Sequence, residues 1–467
     1  MTRIRLIGAW LGWAMLLNGC QWIIGPLTEC TSDPDCAPKG AALTCQNRLC
    51  VQDSRCTVLG SSDPAALTFG LVLPYTANGV PDPNTPNWRN AVSLVLEEIN
   101  PPVQQGIAGH QVAVVSCNSD NDPDTARAFA LRFIAAGIPA ILSDGSSETL
   151  GVAAATVPAG DLLLTGYSKS PEVTALPASP NGVRLVWRTM VSDAYVAQEV
   201  ASYLNAGNAD AGTPTKVAAV VRNDAYGQGF YDAFSPAYTG QQFAYYFNPD
   251  GSTDATALAG AAGYAPTTVV WKGFPEDLVR LLNLVHSTPA YAPLAQAAWI
   301  FDDQILSPGL LNQLAAPGQV EGSLAVFAAA AFGNPGHTAF LWLQQEFEQV
   351  YGLDPGSTPM VAAYSDAIML VLVSAGTQAT LGQPGDGTSL ARVLGRVSDV
   401  DGGQLVPLDP AHLNLALSAL SAGEQINVDG ASGPLDFNPA DGEAVSAVDV
   451  YKVVNGQFTL VEAIPPP

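Results

Sequence analysis

The sequence predicts an α/β protein built as two doubly wound parallel-sheet lobes in series, preceded by a small disulfide-rich segment. Three observations carry that expectation. From Leu67 onward, short apolar runs bounded by turn residues alternate with amphipathic stretches, the alternation restarts after Arg188, and five cysteines crowd between Cys30 and Cys56. Strands of a parallel sheet are covered on both faces, so they read as continuous apolar runs rather than as alternating ones. With 467 residues, 48% of them hydrophobic and 13% charged, the chain has material for two such cores.

The first residues read as an address. Arg3 and Arg5 precede the apolar run Leu6 to Leu17, which is too short to span a bilayer as a helix, so residues 1–19 are expected to be a signal peptide. The run ends in Leu17-Asn18-Gly19-Cys20, which resembles the lipobox of bacterial lipoproteins, in which the cysteine is lipidated and becomes the mature N-terminus; Asn18 is an unusual occupant of its position. Acyl chains on Cys20, each buried CH2 contributing about 0.8 kcal/mol, would hold the protein on a membrane surface without a transmembrane helix. Gln21 is not an aspartate, which in the lipoprotein sorting pattern favours the outer membrane over the inner one.

Export makes the other cysteines legible as disulfides. A segment this short and poor in large apolar side chains holds a shape only if it is stapled internally. Two bridges are expected among Cys30, Cys36, Cys45 and Cys50, with the pairing left open, and parity leaves Cys56 to join Cys117. The alternative is a reduced, buried Cys117. Residues 20–66 therefore read as a lipid-anchored cysteine-rich tether.

The strands expected in the first lobe are LTFGLVL (Leu67 to Leu73), HQVAVVS (His110 to Ser116), IPAILS (Ile138 to Ser143) and DLLLTG (Asp161 to Gly166). Between them WRNAVSLVLEEIN, DTARAFALRFIAA and TLGVAAATVPA place apolar residues three and four apart, as helices do. After Arg188 the strands KVAAVVRN, QFAYYFNP, TTVVWKGF and QAAWIFDD alternate with the helices VAQEVASYLNAG, GQGFYDAFSPAY and EDLVRLLNLVH.

Composition and motifs exclude several functions. A formal net charge of -24 repels phosphate backbones and anionic headgroups, so nucleic acid is not an expected partner. The four histidines lie far apart, with no HExxH and no CxxC, so neither a metal nor another cofactor is expected. DNDPD (Asp120 to Asp124) lacks the glycine and the final glutamate of a calcium loop and reads as a helix start. Gly227 to Gly229 is a lone GxG, and there is no GxSxG, so an enzyme is not expected.

IPAILSDGSSETLGVAAATVPAGDLLLTGYSKSPEVTAL, VRLVWRTMVSDAYVAQEVASYL, RNDAYGQGFYDAF, AAYSDAIMLVLVSAG and GASGPLDFNPADGE occur in that order. Together they resemble the successive signatures of the branched-chain amino-acid-binding (Leu/Ile/Val-binding-like) type of periplasmic solute receptor, over Leu67 to Val461. The resemblance implies a type I periplasmic-binding fold whose lobes are joined by three crossings, near Arg188 to Val191, Glu321 to Ala325 and Asp429 to Leu435. Lobe 1 would then comprise 67–190 and 323–430, and lobe 2 would comprise 191–322 and 431–467, closed by VDVYKVVNGQFTLV as a hairpin. It also implies a small-molecule solute, such as an amino acid or organic acid, bound at the carboxyl ends of the strands and passed to an ABC permease. A sensing module on a membrane receptor, or a surface scaffold without a ligand, are the alternatives.

Ser146 and Ser147 follow the strand IPAILS and open a helix, which suits a ligand carboxylate. The resemblance places further contacts at Ser168 and Lys169 and at Tyr226; Phe274 and Asp302 or Asp303 stand where a ligand ammonium would find a partner, and Tyr75, after the first strand, would cap the side-chain end of the solute. Lys169 departs from the family pattern, in which a threonine stands there. It is one of five lysines in the chain, and a buried ammonium needs an anion. A solute carboxylate would make the ligand acidic; Asp302 or Asp303 reaching from lobe 2 would make an interlobe latch and allow a neutral one.

Overall fold

A computed structural model describes residues 30–464 apart from 47, 78, 102–105, 208–215, 303–304, 306–309, 311–312, 315–316, 329–331, 384 and 445. The signal peptide, Cys20, Gln21 and Asp303 lie outside the described residues.

The N-terminal knot holds β1 (Leu43–Gln46) against β2 (Leu49–Gln52), with Cys30 bonded to Cys45 and Cys36 to Cys50. The third bridge joins Cys56 to Cys117. It differs from a tether in one respect: β3 (Cys56–Gly60) pairs antiparallel with a strand of lobe 1, so the knot closes an edge of that sheet. β3 thereby becomes the outermost strand on that side of the sheet, held there by the bridge.

Lobe 1 takes up the predicted alternation: β4 (Leu67–Leu73), α1 (Thr85–Ile99), β5 (Val112–Asn118), α2 (Pro123–Ala135), β6 (Ala140–Ser143), α3 (Ser146–Ala159), β7 (Leu162–Thr165) and β8 (Val186–Arg188). Asp122 caps α2 by accepting from the Thr125 amide, so DNDPD is a helix start. Lobe 2 follows with α4 (Asp193–Asn205), β9 (Lys216–Arg222), α5 (Ala225–Ala237), β10 (Gln241–Phe247), α6 (Asp254–Tyr264), β11 (Thr268–Lys272), α7 (Pro275–Ser287), β12 (Ala298–Phe301) and β13 (Leu324–Ala328). The chain then returns to lobe 1 through α8 (Thr338–Tyr351) and α9 (Val361–Thr380), adds the short strands β14 (Phe437–Asn438) and β15 (Glu443–Ala444), and ends in lobe 2 with the hairpin β16 (Val448–Val454) and β17 (Gln457–Ile464).

Strand order is β14-β15-β8-β7-β6-β4-β5-β3 in lobe 1 and β10-β9-β11-β12-β13-β16-β17 in lobe 2. In both, the first strand of the lobe lies between the second and the third, which puts a topological switch point beside it. α9 is long and apolar enough to cross a membrane, yet Val361 to Gln378 are all buried inside the protein, and it forms the centre of the lobe 1 core.

Three expected boundaries move. Leu324–Ala328 completes the parallel part of the lobe 2 sheet, so the second crossing falls after it rather than at Glu321 to Ala325. Asp429 to Leu435 is not the third crossing, because buried Asp366 on α9 accepts the Ala431 and Ser432 amides at 2.8 Å each and ties that segment to lobe 1. The passage to lobe 2 comes after Ala444, since β15 pairs with β8. The knot also begins lobe 1 earlier than residue 67.

A part-buried ion cluster docks the knot. Arg132 on α2 is 5% exposed and meets Asp53 at 2.9 Å and Asp33 at 3.3 Å, while Arg55 also holds Asp53. Arg55 and Arg132 both lie over the Phe129 ring. Without Arg132, Arg55 would still hold Asp53 and solvent would reach Asp33, so the cost is below that of breaking a fully buried pair, at about 2 kcal/mol. Arg132→Met is expected to lower unfolding stability by about that amount in urea titration; a loss under about 1 kcal/mol would mean the cluster is solvated.

Candidate functional site

The carboxyl ends of β7, β11 and β12 and the N-terminus of α4 converge where the chain first crosses between lobes. Lys169 lies in the loop after β7, and its ammonium is 3.5 Å from Asp193 Oδ1, with neither side chain exposed. Asp193 opens α4 after the first crossing, and its amide donates to the Lys169 carbonyl at 2.7 Å. Lys272, the last residue of β11, reaches the same Asp193 oxygen at 2.9 Å and Asp302 at 3.2 Å. The Tyr226 hydroxyl donates to Asp302 at 2.6 Å, and the Lys272 ammonium sits 4.1 Å from the centre of the Tyr226 ring. Charges therefore alternate along one buried chain: Lys169, Asp193, Lys272, Asp302. Each buried ion has an opposite neighbour, the condition under which desolvating ions is tolerable.

Beside this chain runs a column of rings. Tyr364 and Trp88 stack at 5.5 Å, Trp88 meets Tyr167 at 5.4 Å, Tyr167 meets Phe274 at 6.2 Å and Phe274 stacks on Tyr226 at 5.2 Å. The first three rings belong to lobe 1 and the last two to lobe 2, so the step from Tyr167 to Phe274 crosses between lobes. Arg222 lies 4.4 Å from the Phe274 ring centre and is held by Asp224 and Asp277. The lobes also meet where α5 passes the loop: a Cβ on Gly229 would lie 2.8 Å from Ser170 Oγ, so only glycine fits.

Of the residues predicted for the site, Lys169, Tyr226, Phe274 and Asp302 come together. Lys169 is buried rather than in solvent, and the described carboxylate beside it is Asp193, which the sequence reading passed over. Ser146 and Ser168 are buried nearby, and the Ser146 hydroxyl accepts from the Ser170 amide at 3.1 Å. Ser147 is half-buried beside it. Tyr75 does not join them: its hydroxyl bonds Ser116 at 2.6 Å and its ring lies near Arg89, all within lobe 1, and burial pushes it up to about 12. Trp88, Tyr167, Asp193 and Lys272 were missed. Lys272 and Trp88 were read as parts of a strand and a helix, and only the rarity of lysine here could have singled out Lys272.

Behind the rings lie two carboxyls that have no cation among the described residues. Asp144, after β6, accepts from the Tyr364 hydroxyl at 2.5 Å; Glu148, in the first turn of α3, is bonded by Ser119. Loss of solvation pushes Asp144 up to about 7, with the Tyr364 hydrogen bond opposing, and burial beside Asp144 raises Glu148 well above the ordinary carboxyl range. A raised folded value means that the fold prefers the proton. Stability then falls as pH rises from the unfolded value near 4 to about 7 and is level above. Asp144→Asn is expected to be more stable than the natural protein at pH 8, by about 2 kcal/mol, with the advantage fading towards pH 4. Urea titrations at both pH values check this; an equal difference at both would mean that Asp144 is ionised throughout.

Sequence and fold comparisons agree with the geometry. A family model described as "Periplasmic binding protein" matches residues 66–457. No curated protein matches the chain. Among solved structures, the leucine-binding protein LivK of Thermotoga maritima is 18% identical, with 86% of this chain and 99% of that chain covered and a TM-score of 0.64. LivJ of Streptococcus pneumoniae in complex with isoleucine is 15% identical over 86% of this chain and 100% of its own, with a TM-score of 0.63. A solute-binding protein of Rhodopseudomonas palustris in complex with 3,4-dihydroxybenzoic acid is 14% identical over 86% and 98%, with a TM-score of 0.60.

Proposed function

The chain belongs to the periplasmic binding protein family, and on that premise we propose that it is a lipid-anchored extracytoplasmic receptor that closes its lobes on a small polar solute and delivers it to an ABC permease. The family is one of binding proteins and not of enzymes. The observation that carries the reading is the meeting of both lobes at one buried site, where Lys169 and Tyr167 come from lobe 1 and Lys272, Asp302, Tyr226 and Phe274 from lobe 2. A solute held by groups from both sides favours the closed arrangement by its differential contacts.

Asp193 bears on the solute's charge. Because it supplies the anion that Lys169 needs, the solute need not be an acid, and an amino acid fits better than a simple organic acid. Relatives of the same fold take isoleucine and 3,4-dihydroxybenzoic acid, so the size class is that of one small molecule. Anchoring at Cys20 rests on the lipobox-like run, and Gln21 favours the outer membrane. The knot, bolted to lobe 1, would make that lobe the fixed one and lobe 2 the moving one.

A melting screen of amino acids and related solutes tests the receptor reading. A true ligand at a hundredfold excess over its dissociation constant is expected to add about 2.7 kcal/mol of stability. A broad panel with no effect on the transition would favour a scaffold that has lost its ligand.

A further inference from the structure

Four strands end the two large sheets, and one of them is unprotected. In lobe 1, β14 has two residues, and β3 spans five between the charged Arg55 and Gly60, whose φ is 76°. At one end of lobe 2, β17 carries Glu462 and a bulge at Val461, since Val450 faces Glu462 and Tyr451 faces Leu460. Short length, charge and bulges are the usual devices that keep an edge from pairing with another chain. β10, at the other end, has none of them. Its seven residues, QQFAYYF, contain no charge and no proline, pair with β9 without a register shift and, among the described residues, have no strand on the outer side.

The strand is also aromatic where it meets water. Phe243 is 61% exposed and Tyr246 37%. Phe243 and Tyr245 stand on one face, with the Tyr264 ring of α6 at 5.7 and 6.4 Å from theirs, and Tyr246 stands on the other, 6.3 Å from Tyr231 of α5. A strand added at such an edge gains ladder hydrogen bonds and ring contacts together. Run in reverse, β10 complements itself. An antiparallel copy centred on Ala244 sets Phe243 opposite Tyr245 of the second copy, twice over by symmetry, and Gln242 opposite Tyr246, and no like charges meet along the strand. The ends match as well: Lys216, level with Gln241 on β9, lies at the end where Asp250 of the second copy follows its strand.

We propose that β10 is a homodimer interface, at which two copies of the chain join their lobe 2 sheets across a twofold axis at Ala244, with or without a solute. Each copy carries a net charge of -24, so added salt is expected to tighten the dimer by screening the repulsion between them. Sedimentation equilibrium of the full chain is expected to show a monomer–dimer equilibrium that Phe243→Lys weakens at least tenfold, with the urea stability of the monomer little changed. Under mild oxidation Ala244→Cys is expected to cross-link to its own copy, because directly opposite Cα atoms lie roughly 5 Å apart. Gln242→Cys is not, since its copy lies four positions along, at roughly 14 Å. A chain that stays monomeric even at high salt overturns the proposal and leaves the edge to a strand of another protein. So does a dimer that Phe243→Lys leaves intact, or one in which Gln242→Cys cross-links as readily as Ala244→Cys. None of these results bears on the receptor reading, which the melting screen tests separately.

Discussion

The carboxylate of Asp193, held between the ammonium groups of Lys169 and Lys272, is the contact on which the arrangement of the two lobes depends. It stands at the first crossing, and it joins the end of a lobe 1 strand to the end of a lobe 2 strand. In water such a pair contributes little, because solvent competes for both ions. Out of water each ion is costly by itself, so the loop bearing Lys169 and the strand end bearing Lys272 are constrained to stay near Asp193. The backbone reinforces the constraint: the Asp193 amide bonds the Lys169 carbonyl, and Arg188 donates to the Ser170 carbonyl at 2.9 Å.

Other features of the cleft follow from that anchor. With the loop drawn in, the Ser146 hydroxyl at the start of α3 receives the Ser170 amide, and Tyr167 is set against Phe274. Tyr226 links the two systems, since its hydroxyl bonds Asp302 while its ring stacks on Phe274. Ions and rings thus form one continuous wall. On the far side of lobe 1, the Cys56–Cys117 bridge and the Arg132 cluster fix the knot to the sheet edge, away from this wall in the strand order.

Much of this architecture was legible in the sequence because burial on both faces leaves a continuous apolar signature. LTFGLVL, IPAILS and KVAAVVRN read as strands and are strands. Crowded cysteines in an exported chain imply bridges, and all six described cysteines are paired. The third crossing was misplaced because β14 and β15 are two residues each, too short to show a period. The site was only partly legible. Lys169 stood out as a rare cation, but its partner came from a helix N-terminus where an aspartate reads as an ordinary first-turn residue. Lys272 and Asp193 are 79 positions apart, and no local pattern announces a pair made by the meeting of two lobes.

A double-mutant cycle on Lys169→Met and Asp193→Asn, read by urea unfolding, tests this dependence most directly. If the pair holds the lobes, the two changes are strongly non-additive, with a coupling of about 2 kcal/mol, because either one alone leaves the buried cluster with a net charge and both together restore its neutrality. Additivity within about 0.5 kcal/mol would contradict the account and place the two groups in solvent.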